Sequence, residues 1–136
     1  MKKLLFSVLF FGVFQITQAQ NVTTNTNQTE DNSIHNISGI EVKPEFPGGV
    51  QAFYKFIAAN YRSPDVAGLQ GKIFVSFVVD KDGSLTDIKA VRDIGYGTGL
   101  EAVRVFSLSP KWKPAMQNGE AVRCSYLIPI TINVTK

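Results

Sequence analysis

Three features of this sequence contain residue types that can do chemistry: a single histidine, a single cysteine and a glycine-rich loop. His35 lies near Glu30 and Asp31 in a polar tract, where it could act as a general base or a metal ligand. Both roles need partners held in place, and no second ligand stands at a fixed spacing from this histidine. The sequence therefore favours a solvated histidine.

The glycine-rich loop Gly95–Glu101 lies between an expected strand and an expected helix, where phosphate-binding loops occur. Its glycine spacing matches neither nucleotide-binding fingerprint, and no Gly-Lys-Ser/Thr follows. A capping box explains the segment better, because Thr98 and Glu101 have the spacing that satisfies free amides at a helix start. We therefore expect no nucleotide and no other cofactor.

Cys124 is the only cysteine, so no disulfide can form within the chain. It alternates with Val122 and Tyr126 along an expected strand, which predicts a small buried side chain. The sequence shows no paired carboxylates, no nucleophile–base pair and no cluster of metal ligands. We therefore expect neither catalysis nor a bound metal.

The composition is that of one folded domain with an export signal. Of the 136 residues, 44% are hydrophobic and 18% are charged, as in ordinary globular proteins. Residues 1–19 combine a pair of lysines with an apolar run and a small-residue ending, which predicts a signal peptide cleaved before Gln20. Without that lysine pair, 12 of the 14 basic residues remain against 11 acidic residues, so nucleic-acid binding is not expected.

The apolar run from Leu4 to Ile16 would span about 20 Å as a helix, less than the ~30 Å core of a bilayer. Cleavage is therefore favoured over retention as an inner-membrane anchor. Residues 20–43 form a polar tract that is expected to be a disordered linker. The folded domain is expected over residues 44–136.

Hydrophobic periodicity predicts the order helix, strand, strand, helix, strand. The expected elements cover residues 48–60, 72–79, 85–91, 98–109 and 122–134. A right-handed crossover would place the first strand in the middle, in the order 2-1-3. The expected fold is therefore a two-layer α+β domain with a three-stranded antiparallel sheet and two helices on one face.

The last strand is expected to lie at an edge of this sheet. Pro129 sits inside it and cannot donate a main-chain hydrogen bond, which leaves one side of the strand unpaired there. An unpaired edge is a template for another strand. The fold therefore favours binding of an extended peptide by strand addition.

Several motifs together resemble the C-terminal domain of TonB, the periplasmic energy transducer of Gram-negative bacteria, in a stand-alone form of the Bacteroidetes type. The matching segments lie between Pro44 and Val134. They are Phe46–Gly49, Gln70–Ser84, Ile94–Gly99, Ser109–Pro114 and Asn118–Arg123, together with Tyr126 and Pro129.

The resemblance implies a periplasmic domain that takes part in TonB-dependent transport across the outer membrane. Such a domain captures the TonB box, an extended segment of an outer-membrane receptor, by adding it to the edge of the last strand. The implied partner-binding residues are Arg123, Cys124, Ser125, Tyr126 and Leu127, with Asn60 and Arg62 as a second contact region.

The chain also departs from a full-length transducer, because its apolar run is short and its linker contains no proline. Coupling to an inner-membrane motor is therefore not expected. The alternative function is a structural or cell-wall-associated module that binds peptidoglycan or pairs with itself through the sheet edge. The chain would be a monomer in the first case and an edge-paired homodimer in the self-pairing case.

Sequencing the N-terminus of the exported protein tests the predicted cleavage. We expect a mature chain that begins at Gln20, because the small residues before it fit the signal-peptidase site. An Ala19→Lys variant is the matched control and should retain its first 19 residues. A wild-type chain that keeps those residues in the membrane fraction would contradict the prediction.

Overall fold

The computed structural model describes residues 31–135. The predicted signal peptide, residues 1–19, and residues 20–30 of the polar tract lie outside these described residues. The elements are β1 (Ile34–Asn36), α1 (Val50–Asn60), β2 (Gln70–Val79), β3 (Leu85–Arg92), α2 (Thr98–Ser107), β4 (Ala115–Gln117) and β5 (Glu120–Asn133). Neither described helix is long and apolar enough to cross a membrane.

The β2–β3 hairpin forms because its apolar residues alternate and its turn contains glycine. Alternate residues of β2, Ile73 to Val79, are nearly or fully buried on one face of the sheet. The turn closes where the Gly83 amide donates to the Asp80 carbonyl at 2.9 Å. Gly83 has a φ of +88°, which glycine adopts without strain. The chain then returns as β3, antiparallel to β2.

The sheet is mixed and larger than expected. Its path is β1-β5-β2-β3, and β4 pairs with β5 off this path. β2 is antiparallel to both β3 and β5, whereas β1 is parallel to β5. The α+β class is confirmed, but the sheet is not the expected three-stranded antiparallel one, because it has five strands and β1 is parallel to β5. Within it, the strands expected as second, first and third lie side by side as β3-β2-β5. β5 has 14 residues and β2 has 10, so β5 extends beyond β2 and accepts additional strands.

Residues 31–43 also differ from the disordered linker that the sequence predicts. After β1 comes a 3-10 turn, Ile37–Gly39, and Val42 then exchanges two main-chain hydrogen bonds with Met116 at 3.1 and 3.0 Å. Ile37 and Ile40 pack against a small cluster that lies apart from the main core. That second cluster consists of Ala115, Val122 and Cys124. Pairing through main-chain groups needs no apolar side chains, so the polar composition did not reveal it.

The main core lies between the sheet and the two helices. Phe53 and Ile57 from α1 and Val105 and Phe106 from α2 are buried in one cluster with the apolar face of β2. Trp112 lies among these rings, 5.4 Å from Phe77 between ring centroids. The helices and the sheet therefore share one continuous apolar interface.

The start of α2 is not the capping box that the sequence predicts. Gly97, in the left-handed conformation, is the N-cap, and it has no side-chain capping bond. The Thr98 hydroxyl instead donates to the Gly95 carbonyl at 2.6 Å. The Glu101 carboxylate accepts from Arg104 and does not reach back to the cap. The helical spacing of Leu100, Val103 and Phe106 predicts that all three face the core, but Leu100 is 80% exposed.

Gly83→Ala should destabilise the domain because the hairpin turn contacts the main chain at Trp112. The Trp112 amide donates to the Gly83 carbonyl at 2.8 Å, and a Cβ at Gly83 would lie 1.9 Å from the Trp112 carbonyl oxygen. We expect urea unfolding to show that the free energy of unfolding falls by about 3 kcal/mol. The left-handed backbone at residue 83 and the displacement of the Trp112 carbonyl both contribute to this loss.

Gly119→Ala is the matched control. Gly119 has a φ of +76°, but no heavy atom lies within 4 Å of the site of its missing Cβ. The free energy of unfolding of this variant should fall by only about 1 kcal/mol, because only the left-handed backbone conformation is unfavourable for alanine there. Equal losses for the two variants would contradict the proposed steric contact at Trp112.

Candidate functional site

The candidate site is the edge of β5 that faces away from β2. Val134 donates to the Leu69 carbonyl and accepts from the Gly68 amide, so its main-chain groups face the β2 side. The β2–β5 register runs without a shift, and alternate residues of a paired strand direct their main-chain groups to opposite sides. Odd-numbered residues of β5, from Arg123 to Asn133, therefore direct their main-chain groups to the outer edge.

The first part of this outer edge is covered by β1. The parallel register pairs Ile34 with Arg123, His35 with Cys124, and Asn36 with Ser125. Two side-chain contacts accompany the pairing. The Ser125 hydroxyl donates to the His35 carbonyl at 3.4 Å, and the Arg123 guanidinium donates to the Asn32 carbonyl at 3.2 Å.

The second part of the outer edge, from Leu127 to Asn133, is open. Among residues 31–135, no strand pairs with β5 on this side of these residues. Leu127 is 53% exposed, and Thr131 is also exposed. Pro129 has no amide hydrogen, so it contributes a carbonyl acceptor but no donor to this edge. The open edge therefore offers the amides of three residues and the carbonyls of four.

A groove of about 530 Å³ lies beside the open edge, between α1 and β5. On the helix side it is lined by Tyr54, Ile57, Ala58 and Tyr61. The Tyr61 hydroxyl donates to the Thr98 carbonyl at 3.0 Å, which fixes that ring against α2. Burial, together with the nearby Glu101 carboxylate, raises the pKa of Tyr61 to about 12, so the phenol stays neutral. We call this feature the α1 groove.

Tyr126 anchors the middle of β5 to the core. Its ring stacks on Phe77, with centroids 5.7 Å apart and planes inclined by 18°. Trp112 contacts the same two rings, and its indole N–H donates to the Ser109 hydroxyl at 2.9 Å. These contacts hold the strand at the point where the covered edge becomes the open edge.

The second expected contact region, Asn60–Arg62, is tied to α2. Arg104 donates to the Asn60 carbonyl at 2.7 Å, and the Arg62 amide donates to the Glu101 carboxylate at 2.9 Å. Hydrogen bonds from the Arg104 side chain and the Arg62 amide lower the pKa of Glu101 to about 2. The i,i+3 spacing of Glu101 and Arg104 could have suggested their ion pair. Nothing in the sequence indicates that the end of α1 makes hydrogen bonds with this ion pair.

The residues considered for catalysis do not converge. The His35 ring lies 3.4 Å from the Ser33 hydroxyl. Cys124 is fully buried, as predicted, and burial raises the pKa of its thiol. Within residues 31–135, no group of three or more His, Cys, Asp or Glu side chains is arranged to hold a metal ion.

A comparison with protein-family models identifies one family. The family model for the C-terminal region of the Gram-negative bacterial TonB protein matches residues 65–133, about half of the chain. A comparison with curated proteins gave no match. Among solved structures, the chain is similar to the NMR solution structure of Helicobacter pylori TonB-CTD, with 26% sequence identity and a TM-score of 0.46. That match covers 64% of this chain and 81% of the other.

Glu101→Gln should remove a stabilisation that depends on pH. The Glu101 carboxyl titrates near 2 in the folded chain, below its ordinary value of 4.5. Its stabilisation is therefore complete above pH 4.5 and is lost as the pH falls towards 2. Because the carboxylate is partly solvated, we expect a modest effect. The free energy of unfolding of the wild type should exceed that of the variant by about 1–2 kcal/mol at pH 6, and the two should be equal near pH 2.

Urea unfolding at a series of pH values measures this difference. Glu120→Gln, which changes an exposed carboxylate at the start of β5, is the control for the change in net charge. A constant difference between wild type and Glu101→Gln from pH 6 to pH 2 would show that Glu101 does not join the helices through its charge.

Proposed function

Because the chain belongs to the family of Gram-negative bacterial TonB C-terminal domains, we propose that it binds an extended segment of an outer-membrane receptor by adding it as a strand to β5. Members of this family are periplasmic interaction domains, not enzymes, and they act in transport across the outer membrane. The TonB box of a receptor is the proposed segment.

The observation that carries this proposal is the open edge from Leu127 to Asn133. Its outward amides and carbonyls have no strand partner among residues 31–135, and a second strand can pair with them. Main-chain hydrogen bonds give such a complex affinity without regard to sequence. The inner side of the same strand is fixed by its pairing with β2 from Cys124 to Asn133.

The α1 groove supports the proposal because it offers a source of specificity. Successive side chains of an added strand point to opposite faces. Those on the helix side would enter the groove beside Tyr54, Ile57 and Tyr61. Apolar side chains at alternate positions of the receptor segment would therefore be selected.

The seven expected partner-binding residues take different roles in this proposal. Arg123, Ser125 and Leu127 direct main-chain groups outward and would pair with the partner. Cys124 and Tyr126 direct theirs to β2 and would hold the strand in place.

The remaining two residues, Asn60 and Arg62, flank Tyr61, which lines the groove. Arg62 stands between the groove residues Tyr61 and Ser63, where its exposed side chain would meet an acidic group of the partner. The Asn60 carbonyl is bound by Arg104, so Asn60 would act by holding the end of α1 against α2.

Thr131→Pro should weaken binding of a synthetic TonB-box peptide. The change removes one outward amide and adds a ring at the open edge, and Pro129 shows that β5 accepts proline at an outward position. We expect the apparent dissociation constant to rise at least about tenfold, which corresponds to about 1.4 kcal/mol. An NMR titration measures it, with shifts expected first at the amides of Leu127, Thr131 and Asn133 in the wild type.

Thr131→Ala is the matched control, because it keeps the amide and removes only an exposed side chain. It should bind within about twofold of the wild type. Equal binding by the proline and alanine variants would exclude strand addition at this edge. Retention on purified peptidoglycan sacculi without any response to the peptide would favour the cell-wall alternative.

A further inference from the structure

The outer edge of β5 already holds one strand of the chain's own. β1 pairs with Arg123–Ser125, and two of these residues, Arg123 and Ser125, direct outward the main-chain groups that the proposed function pairs with the partner. A main-chain amide or carbonyl directed into one strand pairing is not available to another strand at the same time. We propose that β1 is a displaceable occupant of the binding edge, which a receptor segment must remove before it can pair with the whole of β5.

This inference rests on the proposed function and deepens it. It divides the edge into an open entry site, Leu127–Asn133, and a guarded site, Arg123–Ser125. A partner would pair first at the entry site and then compete with β1 for the guarded site. Partners too short to reach the guarded site would bind without moving β1.

β1 is held weakly enough to be displaced. It is only three residues long, and Ile34 is 50% exposed. The hydroxyl contact from Ser125 to the His35 carbonyl is long, at 3.4 Å. In a short pairing with little buried apolar surface, the favourable free energy of the contacts barely exceeds the entropic cost of ordering the segment.

The guarded site also contains an unsatisfied donor. The Arg123 Nε is buried without a hydrogen-bond partner, and it lies 3.6 Å from the Asp80 carboxylate. A buried N–H without a partner destabilises the arrangement that buries it. Asn32, just before β1, contacts the same guanidinium, so release of this segment would let Arg123 bind water or a partner group.

The chain after β1 is anchored, so β1 can leave and return. Ile37 and Ile40 pack against the second cluster. Glu45 and Lys113 then exchange two main-chain hydrogen bonds at 3.0 and 2.8 Å. A segment tethered this close to its site has a high effective concentration there. β1 (Ile34–Asn36) can therefore leave and return while the chain from Ile37 onward stays in place, and we call β1 the strap.

The effect on affinity follows from the open fraction. The apparent dissociation constant equals the intrinsic constant divided by the fraction of molecules in which the edge is free. If the guarded site is free in about a tenth to a third of molecules, removing the strap tightens binding about threefold to tenfold.

His35→Pro opens the strap in the full-length chain. The His35 carbonyl faces β5, so the amide of the same residue is also directed there, and proline removes that donor. His35→Ala is the matched control because it keeps the amide. We expect the proline variant to bind the TonB-box peptide about threefold to tenfold more tightly than the wild type, and the alanine variant to match the wild type.

His35→Cys locks the strap closed. Residue 35 is the register partner of Cys124, and paired strands lie about 4.8 Å apart, within the Cα range of a disulfide. The oxidised species is made with diamide and identified by mass spectrometry. It should bind the peptide more weakly than the reduced species and show no peptide-induced shifts at Arg123 and Ser125. Dithiothreitol should restore wild-type binding.

The outcomes separate this inference from the proposed function. Tighter binding by the proline variant together with weaker binding by the locked species supports the strap. Equal affinity of wild type, proline variant and locked species overturns the strap and leaves strand addition at the open edge intact. Failure of every form to bind the peptide overturns both.

Discussion

The pairing of β2 with β5 is the interaction on which the rest of the structure depends. It runs from Gln70 opposite Asn133 to Val79 opposite Cys124 without a shift. This register places the apolar faces of both strands against α1 and α2, and a slip by one residue would turn those faces to solvent. The same register determines which main-chain groups of β5 point outward. The core and the candidate site are therefore set by a single pairing.

The packing behind β5 explains how this strand can present a fixed template along the part of its outer edge that β1 leaves open. Tyr126, Phe77 and Trp112 contact one another beneath its middle, and the Arg104–Glu101 pair joins the end of α1 to α2. These contacts restrain both walls of the α1 groove. A strand added to a rigid edge loses less free energy to reorganisation than one added to a mobile loop.

The sequence predicts the parts of this fold that have local signals. Alternation in β2, the turn at Gly83 and the periodicity of α1 each lie within about a dozen residues, and the structure places those elements where they are expected. β1 has no such signal, because it pairs through main-chain groups with a strand about 90 residues away. The exposure of Leu100 was missed for a related reason. The face that a helix buries depends on its neighbours, and α2 buries Ala102 and Val105 instead.

A strand that is open to a partner is also open to the chain that carries it. Protein edges are commonly covered, charged or interrupted to prevent unwanted pairing. In β5 the covering segment is β1, and Pro129 removes one donor from the part left open. Pairing of β1 with β5 therefore sets a minimum affinity for a partner that binds the same residues. The pairing of the partner must be more favourable in free energy than the pairing of β1 that it replaces. β1 is only three residues long and does not reach the groove. A longer segment that fills the groove while it pairs with the open edge can also displace β1 from Arg123–Ser125, whereas a short or polar segment pairs with the open edge alone. Self-cover therefore converts a non-selective main-chain template into one that discriminates by the length and apolar content of its partner.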